Sequence, residues 1–252
     1  MGGGVPISPR TTLAPNLYRQ FLRYAQNFQK KYCNLCVPYD IISEKKAPKG
    51  CGKAGKRMKK NLMEIIFAFD CGANAAANMD SAIKSLKSFV LAQRKLDGEM
   101  NASGVAFNSR VTPVFDNVPV EKLVVKNYGF EQGGLGECRM LDATARLMDS
   151  VGARLNDTLE EQRPSKVVCV INVIGRDNAS KKYTYDKLRE MIALQRDVYK
   201  WQFYLITDFS INMEKLGVSP DDTFILRRDE KDAIAQAYKE LNERVAEIRS
   251  KL

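Results

Sequence analysis

The sequence predicts a doubly wound α/β fold, a mainly parallel sheet with helices on both faces, preceded by a basic N-terminal arm and helix. Three observations predict it. Short, continuously apolar runs of strand length recur through residues 61–252. Amphipathic stretches of helical period separate them. The runs are apolar on both faces, as expected of parallel strands buried beneath helices and not of a half-solvated antiparallel sheet. A chain of 252 residues with 44% hydrophobic content accommodates one large domain plus an appendage and can bury a core.

Residues 1–15, rich in Gly, Pro, Ser and Thr, predict an extended arm. Residues 16–31 place Leu17, Phe21, Tyr24, Ala25 and Phe28 on one face of a helix. Residues 33–60 lack periodicity and carry Pro, Gly and Lys, which predicts a loop or linker. These segments form an N-terminal extension, 1–60, and the body spans 61–252. Residues 62–69, LMEIIFAF, are a buried strand ending at Asp70. Residues 79–96 follow as a helix along Ile83, Leu86, Phe89, Val90 and Gln93. Residues 103–108 and 111–115 predict a hairpin turning at Asn108-Ser109-Arg110. A helix at 138–160 leads to a strand at 167–174, VVCVINVI, and a helix at 184–198 to a strand at 201–207, WQFYLIT. A fourth core strand is expected at 223–227. Residues 229–251 predict a charged closing helix with Glu240 and Arg244 as an (i, i+4) pair. Ligands of such sheets sit beyond the carboxyl ends of the strands. That directs attention to Asp70 to Asn74, to Ile174 to Asn178 and to the loop at 131–138.

Charge is unevenly held. Residues 1–60 carry 13 Lys and Arg against two acids, whereas the remainder carries 27 basic and 28 acidic residues. The chain is therefore a basic extension on a nearly neutral body. Histidine is absent, which excludes Ser-His-Asp and Cys-His catalysis, His-ligated zinc and haem with a proximal His. No acid–base pair, activated nucleophile or cofactor fingerprint emerges, so no enzyme is expected. No apolar run reaches the roughly 18 residues of a membrane span. The start, MGGGVPISPR, lacks an apolar signal-peptide core, and Pro6 stands where myristoylation of Gly2 would need Ser or Thr. A cytoplasmic protein with reduced thiols is the expectation.

Three segments carry a family resemblance. IIFAFDCGANAAANMDSAIKSLKSFV is an apolar strand ending in Asp, then small polar residues, then a helix. GGLGECRMLDATARLMDSVGARL looks like a G-G-T-x-L-x-D-A helix start. KVVCVINVIGRDNASKKYTYDKLREMIALQRDVYKWQFYLI looks like a strand, a T-D-G-x-x-N-A-S turn, a Tyr-rich helix and a Trp-led strand. Together they resemble the von Willebrand factor A (VWA) domain, a Rossmann-like fold, in its compact bacterial and phage form, over about residues 61–250.

The resemblance implies a metal-ion-dependent adhesion site, in which D-x-S-x-S, a distant Thr and a distant Asp gather hard oxygens around Mg²⁺. Matched position by position, Asp70 keeps the leading Asp, while Gly72 and Asn74 stand at the two Ser positions. Cys138 stands at the Thr, counted back from Asp142, and Ile174 at the second Asp, immediately before Gly175. Glycine offers no side-chain oxygen, and a soft sulfur does not suit Mg²⁺. The expectation is a degenerate site that has lost its metal. The alternative is a rebuilt ion site using Asp70 and Asn74 with Asp177 or Glu137. Asp70 also reads as a helix cap or an acceptor for loop amides.

Other motifs leave alternatives open. Cys33-x₂-Cys36 with Cys51 reads as part of a zinc site, as a redox or crosslinking pair, or as ordinary loop thiols. Zinc lacks a fourth ligand unless Cys71 folds in. Cys169, inside a core strand, reads as a small buried hydrophobe. Lys45, Lys46, Lys49, Lys53, Lys56, Arg57, Lys59 and Lys60 form a basic run interrupted by three glycines. It suits a solvated loop, an acidic protein surface or nucleic-acid phosphates read through charge alone. Gly133 to Gly136 does not follow a strand as a dinucleotide fingerprint requires. Trp201 reads as core or strand-end packing and not as a binding hot spot. The face Leu17, Phe21, Tyr24 and Phe28 docks either on the body or on a neighbouring subunit.

The expected function is that of a non-enzymatic interaction or scaffold subunit of a larger assembly, with a phage virion or tail as the specific case the resemblance suggests. Two alternatives stand beside it. One is a nucleic-acid-associated protein binding through residues 1–60. The other is an adhesion module with a rebuilt ion site. No cofactor and no membrane partner are expected.

Overall fold

Strands β1 (Lys59–Asp70), β2 (Glu99–Phe107), β3 (Val111–Pro119), β4 (Pro164–Val173), β5 (Gln202–Thr207) and β6 (Thr223–Ile225) form one sheet in the order β3-β2-β1-β4-β5-β6. A computed structural model describes residues 59–76, 79–126, 136–208, 210–227, 230 and 232–252. The arm, the helix at 16–31, the cysteines at 33, 36 and 51 and the basic run up to Arg57 lie outside the described residues. Lys59 and Lys60 open β1, so the strand begins ahead of the predicted run.

β1 lies parallel to both β2 and β4, β4 to β5, and β5 to β6. Only β3 is antiparallel, paired with β2 through the turn at Asn108–Arg110. Chain order runs outward in opposite directions from β1 and β4, which makes the gap between their carboxyl ends the topological switch point.

Helices α1 (Ala73–Ala76), α2 (Met79–Gln93), α3 (Met140–Asp157), α4 (Tyr185–Asp197), α5 (Met213–Leu216) and α6 (Ala233–Ser250) connect the strands. Alternation along the strands sends Ile65, Phe67, Val168, Val170, Tyr204 and Ile206 toward α2 and α6, where Phe89, Tyr238, Leu241 and Val245 close the core. Phe67 stacks on Phe69 at 5.2 Å and meets Phe89 edge-on at 5.7 Å. The opposite residues, such as Ile66, Cys169, Ile171 and Leu205, are fully buried on the other face, against which α3 and α4 pack. Cys169 is thus the buried hydrophobe expected of it. Trp201 is 5% exposed and packs on Phe203 at the start of β5.

One predicted pair is corrected. Glu240 accepts from Gln236, and Arg244 turns to Asp222 at 3.6 Å and lies over Phe224, 5.2 Å from the ring centroid. The guanidinium gains a carboxylate and an aromatic face there, which outweighs a solvated helical pair. The short helices α1 and α5 were not predicted. Among the described residues, no helix is long and apolar enough to cross a membrane.

Candidate functional site at the switch point

Asp70 ends β1, 7% exposed, and both its oxygens hold backbone amides: Oδ1 accepts from Gly72 N at 2.8 Å and Oδ2 from Ile174 N at 2.9 Å. It stitches the carboxyl end of β1 to that of β4. Burial pushes its carboxyl up to about 6, against the pull of the two amides and with the Asp208 charge adding to the rise.

Gly72 sits within this stitch. A Cβ there would come 3.1 Å from Asp70 Oδ1 and 3.2 Å from the Glu137 carbonyl oxygen. Gly175 has φ +102°, and a Cβ on it would fall 2.6 Å from Asn74 Nδ2. The positive φ favours glycine there, and any larger residue would also have to push the Asn74 side chain aside. The Asn74 amide therefore lies against Gly175.

Cys138 is 2% exposed. Its N–H donates to Asn178 Oδ1 at 2.8 Å, and its carbonyl accepts from the amides of Asn178 and Ala179 at 3.1 Å each. Burial and the nearby Asp70 charge push its thiol up, so it stays protonated. Asn178 Nδ2 donates to Gly136 O at 3.0 Å.

The loop after β4 is clasped to the start of α3. Asp177 accepts from Leu141 N at 2.9 Å, from Ser180 N at 3.2 Å and from Ser180 Oγ at 2.7 Å. Ser180 Oγ in turn accepts from Asp142 N at 3.0 Å. These bonds satisfy helix-terminal amides that no side chain of the N-cap residue, Arg139, reaches. Asp142 reaches back to the amides of Lys181, Lys182 and Tyr183 at 3.0, 2.9 and 3.1 Å. Burial acts to raise its carboxyl, but the three amides and Arg139 prevail and hold it below the usual carboxylate range.

Asp208, just past β5, was missed from the sequence. Its Oδ1 accepts from Gly175 N at 3.3 Å and Ser210 N at 2.9 Å. The signal was present: WQFYLITD, like LMEIIFAFD, is an apolar strand ending in Asp.

The structure thus gathers Asp70, Gly72, Asn74, Cys138 and Ile174 around the switch point, with Asp177 and Asn178. Their chemistry does not fit Mg²⁺. Asp70 has both oxygens on amides, Gly72 and Ile174 supply no side-chain oxygen, and Cys138 supplies a protonated thiol. Asp177 is held by α3 and Ser180, and Glu137 is exposed with its carbonyl turned to Gly72. Among the described residues, no three His, Cys, Asp or Glu side chains are grouped to hold a metal ion. Four carboxylates instead accept from nine backbone amides.

No family model and no curated protein sequence matches the chain. Solved structures do. The pilus adhesin SpaC from Lactobacillus rhamnosus GG is 12% identical with a TM-score of 0.54, over 77% of this chain and 32% of that one. Proximal thread matrix protein 1 from the mussel byssus is 14% identical with a TM-score of 0.50, over 75% of this chain and 46% of that one. A von Willebrand factor type A protein from Catenulispora acidiphila is 15% identical with a TM-score of 0.49, over 73% and 42%. This chain therefore covers about a third to a half of the chains it matches. The sheet order, with its single antiparallel edge, and the likenesses to the pilus adhesin and the byssal matrix protein make the fold VWA-like. The resemblance drawn from three sequence segments holds at the level of fold.

Proposed function

We propose that the chain is a non-enzymatic protein–protein interaction or scaffold subunit of a larger assembly, making its contacts without a divalent cation. VWA domains typically mediate protein–protein adhesion, and the two likenesses that carry the fold are a pilus adhesin and a byssal matrix protein. The observation that carries the reading is the condition of Asp70. The carboxylate that would lead an ion site has both oxygens on the amides of Gly72 and Ile174. The rim is set by internal hydrogen bonds and needs no ion to order it. On this reading no residue is assigned to catalysis and no cofactor is called for. A phage virion or tail, assembled in the cytoplasm, is the specific assembly that the sequence resemblance suggests. The basic residues 45–60 then act as an electrostatic tether.

Affinity capture with the full chain, in Mg²⁺ and in EDTA, tests this. The expected result is capture of one or a few proteins, unchanged by EDTA, and weakened when Lys45, Lys46, Lys49, Lys53, Lys56 and Arg57 are changed to Gln. Capture of nuclease-sensitive nucleic acid alone would favour the second reading, for which the charge of residues 1–60 speaks. Capture that requires Mg²⁺ and is lost in Asp70→Ala would sink the proposal.

A further inference from the structure

Beside the switch point, between the loop after β4 and α5, lies a cleft of about 660 Å³. Ile211, Met213 and Ile225 line it with aliphatic side chains. Arg176 and Lys215 line it, both exposed, and no hydrogen bond or ion pair engages either side chain among the described residues. Tyr185 adds a phenol that burial and the Asp177 charge keep protonated, hence a donor. Two acids also line the cleft. Asp177 is occupied by Leu141 N and by Ser180, which leaves Glu214, exposed on α5, as its free carboxylate. The loop itself repeats the asymmetry: its acid, Asp177, turns inward onto amides, while Arg176, Lys181 and Lys182 are exposed.

Aliphatic side chains and free cations together suit one kind of occupant. Nucleic acid would want aromatic platforms for its bases, and Tyr185 is the single ring lining the cleft among the described residues.

We infer that this cleft receives an acidic segment of a partner protein. A carboxylate seats on Arg176 and Lys215, and the neighbouring aliphatic side chain rests on Ile211, Met213 and Ile225. The inference rests on the interaction role proposed above and gives that role a site and a partner chemistry. Anion recognition at this end of the sheet then belongs to guanidinium and ammonium groups, which bind carboxylates directly.

Fluorescence anisotropy with the full chain tests it, using a labelled peptide alternating Leu with Glu and its Leu–Gln counterpart. The basic N-terminal run attracts any acid, so the diagnostic quantity is what changes on substitution within the cleft. The acidic peptide is expected to bind at least about tenfold tighter than the Gln peptide. Arg176→Gln should remove most of that preference, and Glu214→Gln should tighten the acidic peptide by about threefold. Both sites are exposed, so the fold survives either change. Equal affinity for the two peptides, absence of binding, an unchanged Arg176→Gln, or oligothymidylate competing as well as the acidic peptide would each overturn the inference. Should captured proteins remain bound to Arg176→Gln while the acidic peptide fails, the cleft is refuted and the interaction role stands. Should the peptide behave as expected while no protein is captured, the role fails and the cleft stands.

Discussion

Asp70 carries the most consequential physics at the level of single residues. Its folded-state value, about 6, lies above the usual carboxylate range, so the folded protein binds this proton more tightly than the unfolded chain does. The stabilisation is fully present below the unfolded value near 4 and is lost as pH rises through about 6. Asp70 alone should make the protein about 1 kcal/mol more stable at pH ~5 than at pH ~7.5. Urea midpoints of the full chain and of Asp70→Asn at the two values isolate the contribution, because every other titrating group is common to both. The substitution should flatten the difference. An identical pH dependence in the two proteins would mean that Asp70 ionises like a solvated acid. Its place at a strand end was readable from the sequence. Its partners were not, since Ile174 is 104 residues away and no local pattern encodes that distance.

Among the elements, what the sequence conveyed depended on where each element's stabilisation originates. Strands buried on both faces betray themselves by composition, and β1, β4 and β5 fall where the apolar runs lie. The hairpin was legible from its turn. The helices α1 and α5, of four residues each, were not, because too short a stretch carries no period. The clasp between α3 and the loop after β4 was half legible: its residues fall in two of the quoted segments, but their mutual hydrogen bonds arise only when the chain folds. Arg249 makes the same point. In the sequence it is one charge on a charged helix, yet it is buried. Its guanidinium donates to the carbonyls of Gln93, Leu96, Asp97 and Gly98 at 2.7, 3.3, 3.0 and 2.7 Å. It ties α6 to the end of α2, where a cation also suits the helix dipole. Arg249→Leu leaves several of those carbonyls without donors and should cost about 3 kcal/mol in chemical denaturation. Arg249→Lys, with fewer donors and no fork, should recover only part of it. A loss under ~0.5 kcal/mol for Leu would place those carbonyls in water.

On the scale of the whole molecule, the question is whether stability is linked to a divalent ion. An ion that binds only the folded state stabilises it by RT ln(1 + [L]/Kd), so a site with micromolar affinity in millimolar Mg²⁺ adds about 4 kcal/mol. Such a gain is hard to miss in a thermal transition. It requires carboxylates facing the ion, and here Asp70, Asp142, Asp177 and Asp208 face amides. Those bonds span β1, β4, the start of α3 and the end of β5, so the rim is crosslinked by the chain itself. An entering cation would have to strip amides from their acceptors and offer in exchange a ligand set lacking at Gly72, Cys138 and Ile174. The melting temperature of the full chain should therefore be the same, within error, in EDTA and in millimolar Mg²⁺ or Mn²⁺. A rise with either ion that disappears in Asp70→Ala would put a coordinated cation at the switch point and take the ion-independent reading of this fold with it.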